Sequence, residues 1–173
     1  MSVLLIAEHN NKELKSFTLN AVTAASQIDT DLHVLVIGHN CFDVAKKTSK
    51  ISEVKKVLHI EGSHYANFIA ENFTPVIIKA SENYSHIICS ANTFGKNLMP
   101  RVAALMDTSQ ISDITKVVSA DTFIRPIYAG NVFATVKSND QKKCVTVRPT
   151  SFEPCKITGG SAEIVKLDAA EQS

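Results

Sequence analysis

The sequence lacks most of the features that mark membrane, nucleic-acid-binding or disordered proteins. Its 173 residues include no tryptophan, and no apolar run approaches the roughly 20 residues of a membrane-spanning helix. Lysine and arginine (18) nearly balance aspartate and glutamate (17), which leaves no basic surface typical of nucleic-acid binding. The apolar fraction of 45% excludes disorder as the main state. We therefore expect one folded domain that neither binds nucleic acid nor inserts into a membrane.

The cysteines show neither metal-site spacing nor a disulfide framework. They are Cys41, Cys89, Cys144 and Cys155. None stands at metal-finger spacing from another cysteine or a histidine, so we predict no metal site. Met1 leads directly into the apolar run 3–7 without a basic leader, which indicates no secretory signal and no disulfides. We expect the protein in the bacterial cytoplasm, or in the mitochondrial matrix if its source is eukaryotic.

Short apolar runs alternate with helical periods over the first two thirds of the chain. The run 3–7 is typical of a strand buried on both faces of a parallel sheet. Between Glu13 and Ser26, apolar residues recur every three or four positions and predict a helix. Strands separated by helices form right-handed crossovers. The sequence therefore predicts a Rossmann-like, doubly wound α/β domain with a mainly parallel sheet and helices on both faces.

The final third of the chain has no helical periodicity. Its segments 117–123, 127–136 and 143–147 look like strands separated by turn residues. We interpret them as an antiparallel strand extension of the parallel sheet. From Pro154 onward the chain turns polar and contains a Gly-Gly pair, which is typical of linkers. The predicted domain covers 1–153, and 154–173 is expected to be a linker or disordered tail.

Fingerprints of nucleotide binding and of catalysis are missing. No glycine-rich dinucleotide motif follows the first strand, and no P-loop occurs. The crevice at the carboxyl ends of the strands is still the default ligand site of such a sheet, and loops 8–12 and 91–97 would lie over it. No nucleophile elbow is present, and the spacing of Glu8, Asp107, Asp113 and Asp121 brings no two carboxylates together, so we predict no catalytic residues and no enzyme activity. Two alternatives stay open: a free-standing adenine-nucleotide-binding module and, ranked last, a small hydrolase.

Arginine–proline dipeptides mark two of the strand-like segments. Arg125 is held extended by Pro126, because proline disfavours the helical region for the preceding residue. Arg148 also precedes a proline, and Tyr128 and Asn131 lie close to the first dipeptide. Arginines and aromatic residues are enriched at protein interfaces. The equally weighted alternative is that Tyr128 and Phe133 pack under the helices while the arginines are ordinary surface charges.

Five segments of the sequence carry a resemblance to a known family. They are 3–9, 100–104, 109–114, 125–131 and 145–152. In this order they closely resemble the electron transfer flavoprotein alpha subunit, and the match extends to about Gly160. The tract 125–131, followed at this distance by 145–152, is the most specific part.

The resemblance implies the amino-terminal domain of that subunit. The family's carboxyl-terminal domain, which supplies most FAD contacts, has no counterpart here, so we expect FAD in the whole heterodimer and none in this chain. It also implies a beta subunit as partner, with AMP in that subunit only. The heterodimer would carry electrons from acyl-CoA and other flavin dehydrogenases to a membrane quinone oxidoreductase. This chain would be the scaffold, with Arg125, Tyr128, Asn131 and Arg148 as interface or strand-edge residues.

Overall fold

The main feature of the computed structural model, which describes residues 2–170, is a seven-stranded parallel sheet. The strands are β1 (Val3–Ile6), β2 (Leu32–Gly38), β3 (Val54–Glu61), β4 (His86–Ser90), β5 (Gln110–Ile114), β6 (Lys116–Val117), β7 (Thr122–Ile127), β8 (Val132–Lys137), β9 (Lys143–Val147) and β10 (Glu163–Leu167). The helices are α1 (Ser16–Ser26), α2 (Phe42–Thr48), α3 (Ala70–Ala80) and α4 (Thr93–Leu105). The strand order of the sheet is β10-β3-β2-β1-β4-β9-β5, and all its neighbouring strands are parallel.

Helices cover both faces of this sheet, as the sequence predicts. Val22 of α1 and Val44 of α2 belong to the core on one face. Ile77 of α3 and Val102 of α4 belong to the core on the other face. Every residue of β1 and β4 is buried, which explains the continuous apolar run at 3–7. No helix within residues 2–170 has the length and apolar character needed to cross a bilayer.

The chain reverses its direction across the sheet between β1 and β4. From β1 it proceeds through β2 to β3 on one side, and it then returns to β4 on the other side. The carboxyl ends of β1 and β4 therefore border the topological switch point, where open α/β sheets form a crevice. The predicted doubly wound fold is confirmed.

The last third contains antiparallel strands, although their arrangement differs from the prediction. Strands β6, β7 and β8 form a separate three-stranded antiparallel sheet. Strand β9 lies between β4 and β5 and is parallel to both, so the prediction of an antiparallel strand at 143–147 is wrong. Cys144 and Val145 are fully buried, as expected for an internal strand of the main sheet. A five-residue strand of this composition does not itself reveal its pairing partner.

The prediction of a linker or disordered tail over 154–173 does not hold at Glu163–Leu167, which form strand β10. This strand pairs in parallel with β3 along one edge of the main sheet. Ile164 packs against one core and Val165 against the other. The polar residues around them obscure the pattern, because an edge strand leaves part of its surface in water. Residues 171–173 lie outside the described residues, and a further domain beyond this segment stays a prediction.

A close approach between α4 and β4 depends on Gly95. A Cβ atom at this position would overlap the carbonyl oxygen of Ser90 and lie 2.7 Å from Sγ of Cys89. The side chain of Asn92 caps α4 by accepting a hydrogen bond from the backbone N–H of Gly95 at 3.2 Å. Glycine therefore lets the first turn of α4 lie directly against the end of the strand.

We expect Gly95→Ala to lower the free energy of unfolding by about 3 kcal/mol, because the added methyl group must displace backbone in a packed core. Gly130→Ala is the control: Gly130 has a φ of 90°, yet no atom lies within 4 Å of the position that its added methyl group would take. That variant should lose only about 1 kcal/mol through backbone strain. Urea unfolding measures both losses. Equal losses would contradict the close-approach explanation.

Candidate functional site: an exposed hairpin

Strands β7 and β8 form an antiparallel hairpin with a tight connection. The last two cross-strand pairs before the turn are Pro126 with Phe133 and Ile127 with Val132. The three turn residues from Tyr128 onward all have positive φ values, of 48°, 54° and 90°. Asn131 closes the turn, since its backbone N and its Nδ2 both donate to the carbonyl oxygen of Tyr128, at 3.1 and 2.9 Å. The turn is thus held in one conformation by its own hydrogen bonds.

Three large apolar side chains are exposed at the turn end of this hairpin. Tyr128 is 77% exposed, Phe133 62% and Val132 46%. We call these three residues the hairpin tip. Exposed apolar patches on soluble domains commonly mark interaction sites. The alternative that Tyr128 and Phe133 pack under the helices is wrong, because most of the surface of each residue is open to solvent.

The other end of the hairpin is fastened to the main sheet. Phe123 of β7 is fully buried in one of the two cores. The backbone N–H of Thr115 donates to the carbonyl oxygen of Ile124 at 2.7 Å. Because the base is anchored by packing and hydrogen bonds, the hairpin tip is presented on a rigid support.

His86 supplies a further connection between the two sheets. It is fully buried at the start of β4, and its Nε2 donates to the carbonyl oxygen of Ala120 at 2.6 Å. Its Nδ1 lies 2.8 Å from Oγ of Ser85. Burial lowers the pKa of His86, and the nearby Lys143 acts in the same direction. The neutral imidazole therefore holds the chain before β7 against the main sheet.

The predicted interface residue Arg125 lies away from the turn, where it is paired with Ala134, and on the face of β7 that packs against the domain. Side chains alternate along a strand, so Arg125 shares the face of β7 that carries the buried Phe123. It lines a groove of about 310 Å³ together with Gln110. Nε of Arg125 and Oε1 of Gln110 are both buried without a hydrogen-bond partner.

The predicted interface residue Arg148 is bound within the main sheet. Its Nη2 forms a short ion pair with Oδ2 of Asp113, and its Nε donates to the same oxygen at 3.0 Å. These hydrogen bonds raise the pKa of Arg148. The pair joins the carboxyl ends of β9 and β5. Of the four predicted residues, the structure brings Tyr128 and Asn131 together in one turn and places Arg125 and Arg148 elsewhere.

The predicted crevice exists at the switch point as a cleft of about 490 Å³. The two expected loops meet there, since Glu8 and Phe94 both line the cleft and Nδ2 of Asn92 donates a short hydrogen bond to Oε2 of Glu8. No Lys or Arg is among the described residues that line it. Burial lowers the pKa of His9 to about 4, so this imidazole is neutral at pH 7. The cleft therefore offers a carboxylate and amides without a compensating cation.

Comparisons with known proteins match residues 3–172 to the Electron transfer flavoprotein domain. The chain is 51% identical over 167 residues to the electron transfer flavoprotein subunit alpha of Pseudomonas aeruginosa, covering 96% of this chain and 54% of that protein. It is 48% identical over 173 residues to the mitochondrial subunit alpha of Dictyostelium discoideum, covering 95% and 49%. A probable mitochondrial subunit alpha of Caenorhabditis elegans is 42% identical over 172 residues, covering 98% and 52%. The chain spans about half the length of these curated relatives.

We expect the free energy of unfolding to fall as the pH is lowered from about 7 to about 5. Histidines in the unfolded chain have a pKa of about 6.5. Below that pH the unfolded state takes up protons that the folded state, with the lowered pKa of His86, does not bind, so acid favours unfolding. Burial lowers the pKa of His9 and His33 too, and their contributions have the same sign.

His86→Leu should be less stable at pH 7, because the carbonyl of Ala120 loses its donor. It should nevertheless lose less stability than the original chain on acidification. Urea unfolding at several pH values measures this difference. Identical losses in the two proteins would show that His86 does not contribute to the acid sensitivity.

Proposed function

Because this chain belongs to the electron transfer flavoprotein domain family, we propose that it is the scaffold domain of an alpha subunit that docks the beta subunit through the hairpin tip. The observation that carries this proposal is the exposure of Tyr128, Val132 and Phe133 on a hairpin whose base is buried. Aromatic side chains of this kind dominate the energetics of protein interfaces. The relatives named as alpha subunits support the assignment of the subunit.

Two structural features make the hairpin suitable for docking. Its turn is fixed by the hydrogen bonds of Asn131, so little conformational entropy is lost when a partner binds. Strand β8 is also an edge of the three-stranded sheet. An edge strand presents unpaired backbone N–H and C=O groups that a partner's strand or loop can use. Apolar anchors beside free backbone groups support a specific protein contact.

The electron-carrying role belongs, in this proposal, to the whole heterodimer. Electrons would enter from acyl-CoA and other flavin dehydrogenases and leave to a membrane quinone oxidoreductase through FAD. This chain would contribute assembly and support, and no catalytic step. A location in the bacterial cytoplasm or the mitochondrial matrix agrees with the bacterial and mitochondrial relatives.

The cleft at the switch point does not fit FAD or an adenine nucleotide. The phosphates of either ligand would meet the carboxylate of Glu8, and no lysine or arginine lines the cleft among the described residues. Burying like charges together without a cation is unfavourable. We therefore propose that FAD is held outside this chain. The resemblance to the family implies that AMP belongs to the beta subunit. The same charges disfavour the alternative of a free-standing adenine-nucleotide-binding module.

Phe133→Ser should weaken binding to the beta subunit at least thirtyfold, because the loss of a buried aromatic anchor costs about 2 kcal/mol or more. Leu105→Ser is the matched control: Leu105 has the same exposed fraction, 62%, and lies on α4 outside the three-stranded sheet. Both substitutions are on the surface and should leave the unfolding midpoint nearly unchanged. Calorimetric titration with the purified beta subunit measures the affinities.

If Phe133→Ser binds the beta subunit as tightly as the unsubstituted chain does, the hairpin tip is not the docking surface. Loss of binding in Leu105→Ser alone would place the interface on α4. Either result would contradict the proposed site and leave the family membership intact.

We expect the purified chain to bind neither FAD nor AMP. The physical reason is the uncompensated carboxylate in the cleft, which repels the phosphates of both ligands. Flavin absorbance after gel filtration measures FAD binding, and calorimetry measures AMP binding. Stoichiometric flavin retained by the chain would contradict the scaffold role, and tight AMP binding would favour the nucleotide-binding alternative.

A further inference from the structure

A thiol, an imidazole and a carboxylate meet between β3 and the start of α2. His59 and Glu61 lie two residues apart on β3, so their side chains point to the same face of the sheet. Cys41 is the residue that immediately precedes α2. The candidate ligand atoms of the three residues all lie within 4.8 Å of one another. Sγ of Cys41 is 3.4 Å from Nε2 of His59.

Burial makes this cluster unusual for a parallel strand. Cys41 is fully buried and His59 is 3% exposed. The neighbours of His59 on the strand, Leu58 and Ile60, are ordinary core residues. A thiol is a weak hydrogen-bond partner, so it compensates poorly for the water that the imidazole loses. The hydrogen bond between Cys41 and His59 therefore does not compensate fully for the burial of the imidazole. A stronger interaction is needed to compensate for it.

We propose that Cys41, His59 and Glu61 bind a zinc ion, with water in the fourth position. Thiolate, imidazole and carboxylate are the ligands that zinc uses in proteins. With Zn–S near 2.3 Å and Zn–N near 2.0 Å, tetrahedral ligands are separated by about 3.5 Å. The observed separation of Sγ and Nε2 is 3.4 Å, so two of the three ligands already have the required spacing.

The third ligand is also held close to its position. Oε1 of Glu61 accepts a hydrogen bond from the backbone N–H of Cys41 at 3.1 Å, which fixes the carboxylate beside the thiol. The ring of Phe42 lies 5.6 Å from the ring of His59 and covers it on the helix side. A modest shift of the carboxylate completes the site, and the ion would then join α2 to β3.

The two acidic ligands would compensate the charge of a divalent cation. When neutral, the imidazole of His59 offers a lone pair to the metal. The ion would displace the thiol proton of Cys41, which passes to solvent, and the thiolate and the carboxylate of Glu61 would then balance its two charges. Lys166 on β10 places a positive charge near His59 and acts in the opposite direction, and His9 also lies near His59.

Cobalt(II) titration of the purified chain tests the proposal, because cobalt bound to a thiolate has a characteristic charge-transfer absorption. We expect one equivalent of cobalt to give this absorption and zinc to remove it. Cys41→Ala and His59→Gln should abolish it. Glu61→Gln keeps the shape of the side chain and should weaken cobalt binding at least tenfold. Circular dichroism of each variant shows whether it is folded.

Cys155→Ala is the matched control, because this half-buried thiol has Glu53 nearby, as Cys41 has Glu61, and belongs to no group of three candidate ligands among the described residues. It should keep the absorption unchanged. Zinc should also raise the unfolding temperature of the original chain and of Cys155→Ala, and raise that of Glu61→Gln less at the same zinc concentration. Absence of a thiolate–cobalt absorption, or an absorption that persists in Cys41→Ala, would overturn the proposal.

Discussion

The burial of both faces of an all-parallel sheet is the constraint on which the rest of the structure depends. It requires continuous apolar strands at the centre, as in β1, where all four residues are buried. Polar groups are consequently concentrated at strand ends, in loops and in the separate antiparallel sheet, and few are buried inside strands, among them His59 and Thr146. This explains why the polar cleft lies beyond the strand ends, whereas His59 is an exception within β3. A polar side chain buried inside the sheet therefore indicates, by its position alone, that a specific partner compensates for its burial.

Two histidines illustrate how differently such a side chain can be accommodated. His86 finds a strong acceptor in the carbonyl oxygen of Ala120, and a neutral, structural imidazole fully accounts for its position. Among the described residues, His59 has the thiol of Cys41 within hydrogen-bond distance and the carboxylate of Glu61 nearby. The difference in partners, rather than the shared burial, separates a structural histidine from a candidate ligand. The same test applies to Arg148, whose guanidinium is engaged by Asp113.

The fold can be predicted from sequence wherever a local pattern determines a local structure. The apolar run of β1 and the helical period of α1 are of this kind. Composition alone assigns β9 the wrong orientation, because its parallel pairing with β4 is fixed by the path of the chain through the β7–β8 hairpin. It also misses β10, because its apolar residues Ile164, Val165 and Leu167 stand in a short segment flanked by polar residues. At the site, sequence indicates Tyr128 and Asn131 and omits Phe133 as an anchor, since exposure is a tertiary property.

The metal-ligand cluster is beyond sequence reasoning for a related reason. Zinc-finger spacing arises where a short loop carries two ligands, whereas Cys41 and His59 come from different elements that meet only in the folded sheet. The one local signal is the pair His59 and Glu61, two positions apart on a strand that is otherwise apolar at its centre. Alternation places both side chains on one face. A histidine and a carboxylate at that spacing in a buried strand therefore indicate a shared partner across the layer, which here is the residue that immediately precedes α2.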